Sequence, residues 1–172
     1  MIRKTLLLAL LPLAASAALA RPVVAPFHCQ VPCGIYGDRM RIDMLMEDAA
    51  TIEKAMTNIQ TLGESAGANA NQLVRWVVNK DQHAQAIQET VASYWLAQRI
   101  KAPKDGDDAA KAKYHEQLSL LHGITVAAMK CKQTTDAANV AKLRKLALDF
   151  SATYFSEGDL GHIRSHHGSE HK

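Results

Sequence analysis

The segment RIDMLMEDAATIEKAMTNI, residues 41–59, decides the fold class of this chain. Its apolar residues recur in alternating steps of three and four, which places them on one side of an α-helix, where they can pack against a partner helix. This first stripe consists of Ile42, Leu45, Ala49, Ile52, Met56 and Ile59. The segment is therefore predicted as a long amphipathic helix.

A second helix is predicted after a turn bracketed by Gly63 and Gly67. Glycine is common where a helix ends, and the apolar pattern runs out before Pro103, which cannot continue a helix. Lys80 breaks the second stripe, whose members are Leu73, Val77, Ala84, Ile87, Val91 and Tyr94.

Two more helices complete the pattern. The third is predicted from the region 105–108, where acidic residues suit the positive end of a helix, to about Lys132. The fourth is expected to be capped by Thr134 or Thr135 and to end at Gly158. Their stripes are Leu118, Leu121, Ile124 and Ala128, and then Val140, Leu143, Ala147, Phe150 and Tyr154.

Four amphipathic helices with short connections pack most simply as an antiparallel up-down-up-down bundle. The chain has 172 residues, enough for one core, and only 5% aromatic residues, so the fold class is predicted as all-α. A di-iron bundle is excluded because Glu-x-x-His occurs nowhere, and haem attachment because Cys-x-x-Cys-His is absent. No basic block interleaved with aromatic residues indicates nucleic-acid binding.

The start of the chain is typical of an exported precursor. Residues 1–20 combine Arg3 and Lys4 with a short apolar run and a small-residue end, which predicts a signal peptide rather than a stable membrane span. Residues 21–27 contain two prolines and are predicted as an extended pro-segment. The mature protein is therefore expected to be periplasmic or secreted.

The segment HCQVPCGIY, residues 28–36, carries metal-binding chemistry. Thiolates such as those of Cys29 and Cys33 are soft ligands, and the imidazole of His28 suits nickel, copper and zinc. A turn at the intervening proline can bring both sulfur atoms to one ion. From the residues alone a disulfide, a zinc site and a chance pairing remain open, because exported proteins often oxidise paired thiols.

The pattern His-Cys-x-x-Pro-Cys-Gly-x-Tyr resembles the N-terminal nickel hook of the nickel superoxide dismutases at all six of its fixed positions. The resemblance extends over roughly residues 28–155 and includes, on the second helix and after it, Arg75, Lys80, Gln82, Val91, Trp95 and Pro103. It implies a four-helix bundle assembled as a homohexamer, with one nickel ion per subunit.

Carried over by position, the resemblance implies that His28 binds nickel through its α-amine and imidazole. Cys29 would bind through its amide nitrogen and thiolate, and Cys33 through its thiolate. Tyr36 corresponds to a gate residue beside the metal. The reaction implied is disproportionation of superoxide to dioxygen and hydrogen peroxide through an Ni(II)/Ni(III) cycle. Because the α-amine of His28 must be free to bind nickel, a maturation protease is expected to cut after Phe27.

The resemblance also implies a carboxylate and an arginine that orient the ligating imidazole. Arg75 matches the arginine, and Asp43 stands where the family has a glutamate, but one residue closer to the hook and with a shorter side chain. Gln30 replaces an acidic residue that commonly follows Cys29. Arg75 and Asp43 are therefore predicted as supporting residues of the site.

Two other functions compete with the enzyme. One is an exported bundle that binds nickel or copper without turnover, through the hook and the His-rich tail at residues 159–172. The other is a helical protein in which Cys29 and Cys33 form a structural disulfide. The tail holds four of the eight histidines and is read either as a nickel-binding segment or as a solvated tail. Cys131 is predicted as a core thiol.

Overall fold

The computed structural model describes residues 36–167, which form helices joined by short connections. The helices are α1 (Asp38–Gly63), α2 (Ala66–Thr90), a π-helical segment (Val91–Arg99) that continues α2, α3 (Asp108–Gln133), α4 (Ala137–Tyr154) and α5 (Glu157–His167). The predicted signal peptide, the pro-segment, the hook as far as Ile35 and the tail beyond His167 lie outside the described residues.

The four long helices form the predicted antiparallel bundle. Each helix packs against the next in the chain, and α1 also packs against α4, which closes the ring. The apolar stripes meet along its axis, and their fully buried members include Ile42, Ile52, Ile87, Leu121, Ile124, Leu143 and Phe150. None of the helices within residues 36–167 is both long and apolar enough to cross a membrane.

The predicted stripe of α2 is wrong at two positions. Lys80, which was expected to interrupt the stripe, is 3% exposed, whereas Val77 is 39% exposed. The reason lies in α3, because the Lys80 Nζ donates hydrogen bonds to the carbonyl oxygens of Cys131 and Lys132, both at 2.6 Å. Carbonyl groups in the last turn of a helix lack intrahelical donors, and a lysine can supply them from a buried position.

The limits predicted for α4 are wrong at both ends. Asp136 caps the start, because its Oδ1 accepts from the Ala138 N–H at 2.9 Å, while the Thr134 Oγ1 accepts from the Asp136 N–H at 3.3 Å. The end comes at Tyr154 rather than at Gly158, which lies within α5. A side chain with a carboxylate therefore takes the capping position that a threonine was expected to fill.

A fifth helix occupies part of the segment that was predicted as a tail. Ser156 and Asp159 start α5 through a hydrogen bond from the Ser156 Oγ to the Asp159 Oδ2 at 2.7 Å, and the Asp159 N–H donates to the same hydroxyl at 3.4 Å. The Ser156 hydroxyl thus caps the start of α5, because it accepts from a backbone N–H of the first turn. Leu160 and Ile163, three residues apart, are both buried, and α5 packs against α1.

Candidate metal centre and its surroundings

Tyr36, the last residue of the predicted hook, is the first residue that the structure describes. The predicted ligands His28, Cys29 and Cys33 therefore lie outside the described residues. Among the side chains that the structure describes, those of residues 36–161 and Ile163, no group of three or more His, Cys, Asp or Glu could hold a metal ion. The third cysteine, Cys131, lies in the core as predicted and is fully buried, and burial raises the pKa of its thiol to about 11.

Tyr36 is attached to one end of the bundle. The Arg99 guanidinium lies 4.2 Å from the centroid of the Tyr36 ring, and the Tyr94 ring meets it edge to face at 5.9 Å. The Tyr36 hydroxyl donates to the Gln98 Oε1 at 3.4 Å. The hook thus leads directly to a surface built by the π-helical segment, which supplies Tyr94, Gln98 and Arg99.

One carboxylate, that of Asp38, organises this end of the bundle. Its Oδ1 accepts from the Tyr94 hydroxyl at 2.5 Å and from the Arg99 Nε at 2.8 Å. Its Oδ2 accepts from the Arg99 Nη2 at 2.5 Å and from the Tyr154 hydroxyl at 2.8 Å. We refer to Asp38, Tyr94, Arg99 and Tyr154 as the Asp38 cluster, which joins α1, the π-helical segment and α4.

The charges of the cluster are mutually stabilised. Burial works against ionisation of Asp38, but hydrogen bonds from Arg99, Tyr94 and Tyr154 outweigh it and lower the pKa of the carboxyl group. Burial, together with the bond to this anion, raises the pKa of Tyr154 to about 12 and raises that of Tyr94 as well. Asp38 is therefore ionised and both phenols are protonated at neutral pH.

The cluster is backed by an aromatic core. The Trp95 ring meets Tyr94, Phe150 and Tyr154 edge to face, with centroid separations of 5.0, 5.0 and 5.1 Å. Edge-to-face contacts of this kind favour defined ring positions. The phenols that bind Asp38 are consequently held from behind by rigid, fully buried side chains.

The π-helical segment explains why these residues converge. The Ile100 N–H donates to the Trp95 carbonyl at 2.9 Å, a five-residue step, and the wider turn changes which side chains face the core. Tyr94 and Trp95 are adjacent in sequence, and both are buried. π-Helical distortions occur frequently at functional sites, and this nine-residue segment supplies Tyr94 and Arg99, which contact Tyr36.

Two buried N–H groups remain without a hydrogen-bond partner near Tyr36. These are the Arg41 Nε and the Trp95 Nε1, which find no acceptor among residues 36–167. The Arg41 guanidinium lies 4.9 Å from the centroid of the Tyr94 ring, at the same end of the bundle. Buried donors are usually satisfied, so these two groups are exceptions within the described part of the chain.

The structure does not bring Arg75 and Asp43 together within one chain. Contacts between Asp38 and Tyr94 and between Asp48 and His83 fix the antiparallel register of α1 and α2. In this register Asp43 lies level with about residue 88, so Arg75 is about 20 Å away along the helix axis at 1.5 Å per residue. Arg75 is exposed near the opposite end of the bundle.

Sequence reasoning missed Asp38 and Arg99, of which Arg99 contacts Tyr36 and Asp38 binds Arg99. One signal was present, because an acidic residue at the first position of a helix is favourable there. The partnership with Arg99 joins residues 61 positions apart and depends on the π-helical turn, which periodicity does not reveal. The His83 Nδ1 lies 2.6 Å from the Asp48 Oδ1, in a contact between α2 and α1.

A family model described as nickel-containing superoxide dismutase matches residues 18–157 of the chain. The matched range contains the hook sequence, the Asp38 cluster and all four long helices. No curated protein and no solved structure matches the chain.

Proposed function

Because the chain belongs to the nickel-containing superoxide dismutase family, we propose that it disproportionates superoxide at a nickel site formed by His28, Cys29 and Cys33. Membership makes the protein an oxidoreductase that uses nickel and takes superoxide as its substrate. The observation that carries the finer proposal is the complete hook sequence, which lies inside the matched range and runs into Tyr36 on the bundle surface.

The donor set fits nickel. The α-amine and imidazole of His28, the amide nitrogen and thiolate of Cys29 and the thiolate of Cys33 offer nitrogen and sulfur ligands, which nickel accepts in a flat arrangement. Zinc prefers tetrahedral sites, so it suits this set less well. Nickel held there, one ion per subunit, would supply an Ni(II)/Ni(III) couple that oxidises one superoxide to dioxygen and reduces a second to hydrogen peroxide.

Tyr36 has the role of a gate in this proposal. Its ring is 38% exposed and is supported from the bundle side by Arg99 and Tyr94. A phenol in this position can order water and a small anion beside the metal and narrow the approach for larger molecules. The positive charge of Arg41 near the same end favours an anionic substrate.

Maturation completes the site. The α-amine of His28 becomes available only if the Phe27–His28 bond is cut, so a protease must remove residues 1–27 in one or two steps. Export to the periplasm or beyond is proposed from the predicted signal peptide.

We further propose a homo-oligomer, a hexamer by resemblance. It is supported by the exposed valines Val74, Val77 and Val78 on the outer face of α2, which a second copy can cover.

Assembly also bears on Arg75. Since Arg75 and Asp43 are separated along one chain, the proposal assigns Arg75 to the hook of another copy. Asp43 lies on α1 five residues after Asp38, near the end of the bundle to which Tyr36 is attached. The two residues therefore have separate roles in the proposal, and neither depends on a direct pair between them.

Replacement of the cysteines tests the proposal. Cys29→Ser and Cys33→Ser remove a soft thiolate ligand and are expected to abolish nickel-dependent dismutase activity. Cys131→Ala is the matched control, because this cysteine is buried within the bundle, and the variant should keep both nickel and activity. Dismutase activity that survives unchanged in either serine variant would refute the site, whereas nickel bound without turnover in the wild type would favour a storage protein.

A further inference from the structure

Arg99 contacts both Tyr36 and Asp38. Its guanidinium lies 4.2 Å from the Tyr36 ring centroid, and two of its nitrogens bind the Asp38 carboxylate at 2.8 and 2.5 Å. A planar guanidinium that stacks on a ring while it binds a carboxylate through two nitrogens has little freedom to rotate. The position of Arg99 therefore limits where the Tyr36 ring can lie.

Asp38 is itself fixed from two further sides. The hydroxyls of Tyr94 and Tyr154 donate to its two oxygens, so four hydrogen bonds from three residues hold the carboxylate. The side chain of Asp38 is 18% exposed and that of Arg99 is 25% exposed, so water competes little for these bonds. Hydrogen bonds to charged groups are among the stronger ones in proteins.

We infer that Arg99 is a positioning residue for the dismutase reaction, which sets the position of the Tyr36 ring through a guanidinium that Asp38 holds in place. The inference rests on the proposed function, since it gives Tyr36 the role of the gate. Arg99 acts through Tyr36 and needs no contact with the substrate or with a metal ligand.

A purely structural ion pair is the competing explanation, and the chain offers a matched control. Arg144 binds Glu53 between α4 and α1 at 2.8 Å, and its side chain is also 25% exposed. It is an interhelical arginine pair like that of Arg99, but none of its described contacts involves Tyr36. If both ion pairs only stabilise the bundle, replacement of Arg99 should change kcat no more than replacement of Arg144 does.

The main experiment compares Arg99→Met with Arg144→Met in the mature, nickel-loaded protein. Methionine keeps most of the side-chain volume and removes the charge and the guanidinium hydrogen bonds. In Arg99→Met we expect an unchanged nickel content and a kcat lowered by about tenfold to a hundredfold, because a misplaced group in an active site costs this much. Arg144→Met should keep kcat within about twofold of wild type, as expected for an independent site.

A double-mutant cycle separates positioning from stability. In a Tyr36→Leu background, Arg99→Met should change kcat by no more than about twofold, because the residue that Arg99 positions is already absent. Effects that multiply independently in the double variant would overturn the inference. If Arg99→Met does not fold, Arg99→Lys, which keeps the charge but loses the forked geometry, provides the same comparison.

A measurement without nickel makes the inference independent of turnover. In the metal-free mature protein, the NMR signals of the Tyr36 ring should shift in Arg99→Met and stay in place in Arg144→Met. Unchanged Tyr36 signals in Arg99→Met would overturn the inference even if activity falls. Failure of the proposed function would instead appear as a wild-type protein that binds nickel without dismutase activity, and the ring signals would still decide the role of Arg99.

Discussion

Lys80 on α2 and Arg99 at the end of the π-helical segment are both cations on the same long helix, and they differ in what they bind. Lys80 is almost completely buried and donates to two backbone carbonyls at the end of α3 and to the Asp81 carboxylate at 2.9 Å. Arg99 binds a side chain, Asp38, and stacks on another, Tyr36. Lys80 therefore joins α2 to the backbone of α3, whereas Arg99 contacts two side chains at the end of the bundle to which Tyr36 is attached.

The difference indicates how a simple bundle can carry a specific site. Backbone carbonyls in the last turn of a helix need a donor in any such bundle, so a contact of the Lys80 type stabilises the fold whatever the function. The Asp38 cluster forms only where the π-helical segment brings four polar side chains together with α1 and α4. Removal of each cation should consequently affect different properties of the protein, which the following predictions test.

The largest effect on stability is expected from Lys80→Met. The change leaves two carbonyl groups without their donor, one of them at the buried Cys131, and should lower the free energy of unfolding by about 3 kcal/mol. Chemical denaturation measures this loss. Lys145→Met is the control, because Lys145 is exposed and its ion pair with Asp149 lies within one helix. Turnover per folded, nickel-loaded chain should not change, and a lower turnover would contradict the separation of roles.

Asp38→Asn should have an intermediate effect, and one that depends on pH. The variant loses charge-assisted hydrogen bonds and should be about 2 kcal/mol less stable than wild type at pH 7. Because folding lowers the pKa of Asp38 from its ordinary value of 3.8, the carboxylate contributes its full stabilisation above that value. The difference between wild type and variant should therefore shrink as the pH falls below 3.8 and through the lowered folded-state pKa.

Denaturation curves of the two proteins between neutral and acidic pH measure this dependence. A stability difference that stays constant down to the lowest pH at which the wild type folds would show that the charge of Asp38 is not what stabilises the cluster. A difference that grows on acidification would contradict the direction of the pKa shift.

The smallest effect is expected from Arg144→Met. Glu53, its partner, is 48% exposed, and partly solvated ion pairs contribute little to stability, so the loss should stay below about 1 kcal/mol. Thermal unfolding measures it directly. A loss as large as that for Lys80→Met would mean that exposure does not separate the strong contacts of this bundle from the weak ones.

Most of the fold followed from the spacing of apolar residues, because a stripe such as Ile42 to Ile59 has few ways to leave water other than packing against other helices. What the spacing could not give were features that depend on polar partners. The burial of Lys80 requires the end of α3, and the capping of α4 by Asp136 is decided by local geometry. The helix α5 was missed although the Ser156 hydroxyl caps its start.

The residues of the candidate site likewise differ in how far the sequence could predict them. The hook sequence and Tyr36 could be identified because their residue types and order are specific to one chemistry. Asp38 and Arg99 could not, because their contact spans 61 positions and depends on a π-helical turn. The supporting roles of Arg75 and Asp43 stay predictions, and the sequence did not show that the register of α1 and α2 separates the two residues within one chain.

The most direct test of the central proposal is a combined measurement of intact mass, nickel content and superoxide dismutation on one sample purified from the native host. The proposal predicts a chain that begins at His28, about one nickel ion per chain, and dismutase activity. A chain that retains residues 21–27 and shows no nickel-dependent turnover would contradict it, because the α-amine of His28 could not then bind the metal.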